Sequence, residues 1–378
     1  MRIISRQLTK EILLATLFVL VVLVALFAFF DLIGQLDKVG VGRRSMATAL
    51  TLTALILPQR IYEVMPLAAL LAAVYVLSRW AHSSEFTVLR VAGMSPQNMV
   101  RVLMIPGAIL MIATYAVGEF AVPAAERSYA EVRTAGADIT ARGYESGVWI
   151  RDVEQKEGSA GTDRYINVRS LKSGNLGQTG GWRIFEFDGA GRIKFVIEAK
   201  SASYDEDRHG WQLRNAVRYA YPIISRGDNR PTSDRVERQT IKSYFFATSV
   251  TPDMLGVMTV KPDTMSMRDL STYIDHLNRN NQDTDRYEIT LWNKVFYPLA
   301  VLVMLAVAMP FAYVNARAGG MAIKIFVGVI IGVAFYALNN VFSFLGTVNT
   351  WSPIAVSVTP SAAMFAAAAA FMYYMEKR

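Results

Sequence analysis

The residues able to do chemistry in this chain are few and badly placed for it. Its 378 residues include no cysteine, which removes thiol nucleophiles, thiolate-held zinc and disulfides together. The three histidines, His82, His209 and His276, are far apart and no H-E-x-x-H exists. No metal cluster can be assembled from them, and each reads as a surface residue. A G-x-S-x-G elbow is missing, so an α/β-hydrolase is unsupported. Gly40-Val41-Gly42 and Gly189-Ala190-Gly191 lack the third glycine and the strand-to-helix setting of a dinucleotide loop. The P-loop pattern G-x-x-x-x-G-K-[ST] is absent too, so any ATP acts through a partner. The chain is expected to be non-catalytic and to hold no cofactor.

One charged pair stands out by its surroundings. Arg60 and Glu63 interrupt the otherwise apolar stretch 50–77, three residues apart on one helix face, with Pro58 and Pro66 on either side. One reading puts the pair at a membrane interface, the span running over 61–77 while 45–57 lies along the surface. The other makes it a buried pair facing a cavity, because an intramembrane charge is costly enough to be kept mainly for use.

The elements around these residues are those of a membrane protein. Hydrophobic residues make up 53% and charged ones only 19%, too apolar for an ordinary soluble enzyme. A bilayer core needs roughly 20 apolar residues of helix. Stretches 12–30, 102–118, 295–314, 325–345 and 353–375 carry no Asp, Glu, Lys or Arg, and 50–77 is a sixth candidate. The first is expected to stay as an anchor: its apolar run is too long for a signal peptide, and Phe29, Phe30 and Asp31 occupy the place of a small-residue cleavage site. Six spans put both termini on one side. Arg2, Arg6, Lys10, Arg79, Arg90, Arg101, Arg317, Lys324, Lys377 and Arg378 share that side, against Lys38, Arg43 and Arg44 opposite. The positive-inside rule makes it cytoplasmic, which leaves 119–291 outside.

Between residues 143 and 260 helical periodicity gives way to strand and turn signals. Ile193, Phe195 and Ile197 alternate with Lys194, Val196 and Glu198, and Asp188-Gly189-Ala190-Gly191 forms a turn into that strand from 184–187. Short β-rich stretches at 165–168, 199–204, 211–213, 217–221 and 239–246 favour an antiparallel sandwich or jelly roll. A helix returns at 267–277, with Ser266 as its cap. Between the second and third spans, residues 82–95 read as a short amphipathic helix. Ser83 or Ser84 caps it, Glu85 favours its N-terminal dipole and Gly93 stops it. Its apolar face, with Phe86 and Leu89, has nothing in a short loop to bury against, and needs either the lipid surface or a groove on another protein.

Several blocks, in order, carry a resemblance. They are Phe30-Asp31 with Gly34-Gln35-Leu36-Asp37-Lys38-Val39-Gly40, Met65-Pro66-Leu67-Ala68-Ala69-Leu70-Leu71, Ser84-Glu85-Phe86-Thr87-Val88-Leu89-Arg90-Val91-Ala92-Gly93, and Gly118-Glu119-Phe120 with Pro123. Thr251-Pro252-Asp253, Leu255-Gly256-Val257, Gln282-Asp283, Arg286-Tyr287 and Leu291-Trp292-Asn293-Lys294-Val295-Phe296 with Pro298-Leu299 follow. On these, over nearly its whole length, the chain resembles the LptF/LptG permease family of the lipopolysaccharide export system, and the LptG branch most closely.

The resemblance implies an α-helical protein of six transmembrane helices with an all-β, jellyroll-like periplasmic domain inserted between the third and fourth spans. Residues 1–118 would hold the first three spans and the coupling helix at about 82–95. Residues 119–291 would be periplasmic, with a β core at about 143–260, and 292–378 would hold the last three spans. It further implies a bacterial inner-membrane location, a paralogous LptF-type permease, an LptB-type ATPase dimer, an LptC-type membrane-anchored jellyroll protein and an LptA-type periplasmic bridge, with lipopolysaccharide as cargo and no nucleic acid. Glu85, Phe86, Leu89 and Arg90 would couple to the ATPase. Phosphates on the cargo ask for cations near the outer boundary, for which Lys38, Arg43, Arg44 and Arg133 are the candidates; Asp31 and Asp37 stand where some relatives carry lysine. Its acyl chains ask for apolar walls, for which Phe27, Phe30, Ile33, Phe335, Leu338 and Phe342 are the candidates. Two other readings compete: a membrane sensor with an extracytoplasmic β ligand-binding domain, and an ion-coupled transporter using Arg60 and Glu63, which would call for inverted repeats and several intramembrane acids.

Overall fold

The computed structural model describes residues 2–40, 45–83, 85, 91, 96–134, 147–154, 162–171, 177–189, 191–222, 235–257, 261–313, 320–349 and 351–376. The chain divides into two compact units. One comprises residues 1–129, 262–271 and 284–378, the other 130–261 and 272–283.

The first unit is helical. Helix α1 runs Arg2–Leu36 and α2 Met46–His82; α3 (Pro96–Ala116) passes through a π turn, Val117–Ala121, into α4 (Val122–Thr134). Later come α7 (Asp285–Phe296), α8 (Ala300–Ala308), α9 (Pro310–Tyr313), α10 (Met321–Asn349) and α11 (Pro353–Glu376). Six stretches among the described residues are long and apolar enough to cross a membrane. The fourth of them, Asp285–Ala312, is broken by a 3₁₀ turn at Tyr297–Leu299, where Pro298 withholds a backbone donor.

Helix α2 lies at the centre of this unit. Ala68, Ala69, Leu70, Ala72 and Ala73 are fully buried. Their small side chains let neighbouring backbones come close, the packing available where lipid removes the hydrophobic drive between helices. Gly332 on α10 takes part in the same approach: a Cβ there would overlap Leu67 Cδ1. The expected break before Ile61 does not occur. Residues 46–57 are the first turns of the same 37-residue helix, started by Ser45, whose Oγ accepts from Thr48 N–H at 3.2 Å, and continued through Pro58 and Pro66.

The second unit carries a six-stranded antiparallel sheet with neighbours in chain order: β1 (Val148–Glu154), β2 (Thr162–Leu171), β3 (Gln178–Phe187), β4 (Ile193–Asp205), β5 (Gly210–Ala220) and β6 (Glu237–Ala247). The chain is thus a six-span membrane protein with a β domain inserted between its third and fourth spans. The expected turn joins β3 to β4, with Gly191 at φ +75° and Arg192 N–H donating to Asp188 Oδ1 at 2.9 Å. Stretches 193–198 and 199–204 form one strand, as do 211–213 and 217–221. Within β5, Asn215 at φ +52° breaks the side-chain alternation while pairing resumes at Ala216. One face of the sheet is a core around Trp182 and Trp211, whose rings lie 4.9 Å apart. Trp211 Nε1 donates to Val250 O at 2.7 Å, so its polar edge is satisfied.

The expectation of three surface histidines holds for His82 and His209 and fails for His276, which is 3% exposed. His276 lies on α6 (Met267–Arg279), near the end that belongs to the β unit, and its ring stacks on Tyr273 at 6.5 Å. One turn on, Asn280 Nδ2 donates to the His276 carbonyl at 2.9 Å while Asn280 Oδ1 accepts from Val153 N–H at 2.8 Å, tying this helix end to β1. Burial pushes the imidazole below its ordinary value, with Asp152 opposing and Arg279 reinforcing the shift. A base with a lowered folded-state value is protonated first in the unfolded chain, so stability is full above about pH 6.5 and falls as the pH drops through that point. Thermal unfolding of the full chain in detergent is expected to show this acid loss, and His276→Gln to flatten it. An identical drop in the variant would remove His276 as its source.

Candidate functional site

Within the helical unit, the polar groups of the apolar spans converge on one cluster. Asp31 sits near the end of α1, and Arg60 lies midway along α2. Arg60 binds Asp31 through two hydrogen bonds, Nε to Oδ2 and Nη2 to Oδ1, both 2.8 Å, and its Nη1 reaches Glu63 Oε2 at 2.8 Å. Gln59 Nε2 donates to the other Glu63 oxygen at 2.9 Å, and the Phe27 ring centroid lies 5.7 Å from the guanidinium carbon. The two-pronged Arg–carboxylate geometry is the strong form of such a pair. Of the two readings of Arg60 and Glu63, neither foresaw the main partner, which is Asp31 on another helix.

The cluster continues toward the fourth span. Tyr297 Oη donates to the Glu63 carbonyl at 2.6 Å, and the Tyr297 ring packs 4.9 Å from Tyr62. Lys294, 6% exposed, donates from Nζ to the Gly118 carbonyl at 3.0 Å. Gly118 lies in the π turn, and a Cβ there would come within 2.5 Å of the Tyr62 ring, so only glycine admits this close approach. Glu119, next in the turn, accepts from Met267 N–H through both oxygens at 3.0 and 3.2 Å. With Ser266 Oγ, which accepts from Asp269 N–H at 3.1 Å, it caps α6. Spans one to four are joined at this level by hydrogen bonds and packed rings.

The sequence-derived residues fall in different places. Lys38 is exposed just past α1, Arg133 is exposed in the last turn of α4 and belongs to the other unit, and Arg43 and Arg44 lie outside the described residues. Phe27, Phe30 and Ile33 form an exposed apolar stripe on α1 beside the cluster. On α10, Leu338 is exposed and Phe342 half-buried, but Phe335 is 3% exposed, packed into the helical core near Leu70 and Val74. Glu85 accepts from Ser83 Oγ at 3.1 Å, while Phe86, Leu89 and Arg90 lie outside the described residues.

This arrangement, six apolar spans with an inserted antiparallel domain, is matched as a whole by one family model, "Lipopolysaccharide export system permease LptF/LptG", over residues 6–374. The chain belongs to the LptF/LptG family. It is similar to the lipopolysaccharide export system permease protein LptG of Escherichia coli strain K12, at 28% identity over 366 residues covering 96% of each chain. Similarity to LptG of Haemophilus influenzae is 28% over 362 residues and 94% of each. The match takes in all six apolar spans and the inserted sheet.

Removing Arg60 would leave two carboxylates facing each other among apolar helices. Arg60→Gln is expected to cost roughly 3 kcal/mol, the scale for breaking a partly buried ion pair. Asp31→Asn combined with it should recover part of that loss, with a coupling on the order of 1–3 kcal/mol. Unfolding midpoints of the purified single and double variants read this directly; strict additivity would show that Asp31 and Arg60 do not act together.

Proposed function

We propose that this chain is the LptG-type permease subunit of a lipopolysaccharide exporter in the bacterial inner membrane, with both termini cytoplasmic and the β domain periplasmic. It works beside a paralogous LptF-type permease, an LptB-type ATPase dimer and an LptC-type protein. The pair takes lipopolysaccharide from the membrane and passes it along the β domain to an LptA-type bridge. The observation that carries this reading is the family match from residue 6 to residue 374. The domain boundaries set out from the sequence, 1–118, 119–291 with its core at 143–260, and 292–378, belong to the same proposal.

The physical features support it. Residues of α1 from Leu14 to Ile33 and of α10 from Ile323 to Val348 present large apolar side chains outward. Such faces suit lipid tails, a second permease or the acyl chains of cargo. Phe27, Phe30 and Ile33, with Leu338 and Phe342, are the wall side chains the structure leaves accessible. Phe335, buried in the helical core, is not part of that wall. Lys38, Arg43, Arg44 and Arg133 take the headgroup phosphates, since Arg forks and Lys point charges are the usual partners of phosphate oxygens. Glu85, Phe86, Leu89 and Arg90 transmit the motion of the ATPase.

Two measurements test this. In a reconstituted complex, Phe86→Asp or Glu85→Ala should leave membrane insertion intact and lower ATP-driven lipopolysaccharide release by about tenfold, the effect of losing roughly 1.4 kcal/mol of coupling. Release at the wild-type rate would sink the coupling assignment. Photocrosslinking of cargo should fall on Arg133→Glu, and equal crosslinking would withdraw Arg133 from the headgroup site.

A further inference from the structure

A cavity of about 340 Å³ opens where α2 ends and α10 begins, lined by Ser78, Arg79, His82, Ser83, Gly320, Met321 and Lys324. All of them belong to the helical unit. The volume is in the range of small-ligand sites, and the lining is cationic. Lys324 is 8% exposed, four residues into a membrane-spanning helix. A lysine there puts positive charge on the cavity wall, where it attracts an anion. Arg79 Nη2 holds Glu11 at 2.7 Å, and Trp80 Nε1 donates to the same oxygen at 2.7 Å, which fixes the guanidinium at the rim with further N–H groups to offer.

Two more donors converge on this space. Ser78 lines the cavity and is 3% exposed, and its buried Oγ has no hydrogen-bond partner among the described residues, a rare condition for a hydroxyl. Gly320 precedes the 29-residue helix α10 and its carbonyl accepts from Ile323 N–H at 3.0 Å, so the first-turn donors with no acceptor inside the helix are the N–H groups of Met321 and Ala322. Two carboxylates lie at the edge among the described residues: Glu11, already held by Arg79 and Trp80, and Glu85, which accepts from Ser83 Oγ.

From this we infer a binding site for a phosphate group: Lys324 and Arg79 supply charge, Ser78 Oγ a hydroxyl, and the start of α10 backbone N–H donors. Its position at the ends of two membrane spans favours the headgroup of an anionic phospholipid over a soluble phosphate, since basic pockets between spans at a membrane boundary hold such headgroups. The inference does not depend on the permease reading.

The full chain, purified in detergent without added lipid, is titrated with short-chain phosphatidylglycerol, short-chain phosphatidylcholine and inorganic phosphate, and bound ligand is counted by native mass spectrometry. Phosphatidylglycerol is expected to bind at least tenfold better than phosphatidylcholine. Lys324→Gln should weaken it about tenfold, and Lys324→Arg, which keeps the charge, should retain it. Lys10→Gln, which removes an exposed cation that does not line the cavity, should change nothing. Binding of inorganic phosphate with the same dependence on Lys324, and none of phosphatidylglycerol, would keep the phosphate site and assign it to a soluble ligand. If Lys324→Gln does not fold, Met321→Glu, which sets a carboxylate at the cavity, should abolish binding. Equal binding of the two lipids, an equal loss in Lys10→Gln, or no effect of Lys324→Gln and Met321→Glu would overturn the inference. So would binding of neither phosphate source while Lys324→Gln alters only association with a partner protein.

Discussion

Arg60 is the constraint on which the helical unit turns. A guanidinium among apolar helices cannot shed its charge, so its surroundings must supply anions or the helix cannot remain where it is. Asp31 and Glu63 supply them at 2.8 Å each. Because the two carboxylates sit on different helices, satisfying one charge also fixes α1 against α2. The pairing therefore sets position more than it adds stability, since a well-packed apolar substitute of the same shape would cost little by comparison.

The same logic extends to Lys294, whose ammonium donates to a backbone carbonyl, that of Gly118. A regular α-helix commits its carbonyls to N–H groups four residues on. The π turn at Val117–Ala121 shifts that pattern and, with glycine at its second position, brings a carbonyl within reach of an incoming ammonium. Tyr62 occupies the room the missing side chain leaves, and Tyr297 packs on Tyr62 while holding the Glu63 carbonyl. Each of these contacts depends on another, and the cluster behaves as a unit linking spans that are distant in sequence. The β unit needs none of it: its strands pair in chain order and close over Trp182 and Trp211.

Much of this architecture was legible because its signals are local. Charge-free runs revealed five spans, and the Asp188–Gly191 turn and the Ser266 cap were readable from a handful of adjacent residues. What escaped depended on distant partners. Spacing along one helix suggested Glu63 for Arg60, but Asp31, 29 residues away, could only be seen as a departure from a lysine pattern. Lys294 entered only as part of a block of family resemblance, because its acceptor lies 176 residues earlier. His276 had a readable signal that composition hid: it lies three residues after buried Tyr273 and beside buried Leu277, on the inner side of an amphipathic helix. Strand β1 escaped because Asp152, buried on the Thr248 and Ser249 hydroxyls, stands where a third apolar residue would continue the alternation of Val148 and Ile150, and Asn215 made one strand look like two.

The Asp31–Arg60 pair also bears on how a phosphorylated lipid would meet the first span. Asp31, Glu63 and Arg60 together sum to one net negative charge, and all three nitrogens of the cation already donate to carboxylate oxygens. A phosphate approaching at that depth would meet repulsion, uncompensated in a medium where charges are weakly screened. On the proposed function, cationic help would therefore come from beyond the end of α1, where Lys38 is exposed. Phe27, Phe30 and Ile33 would then be left to the apolar part of the ligand. The carboxylate at position 31 joins two helices and, on the proposed function, would keep an amphiphile's charge away from that depth.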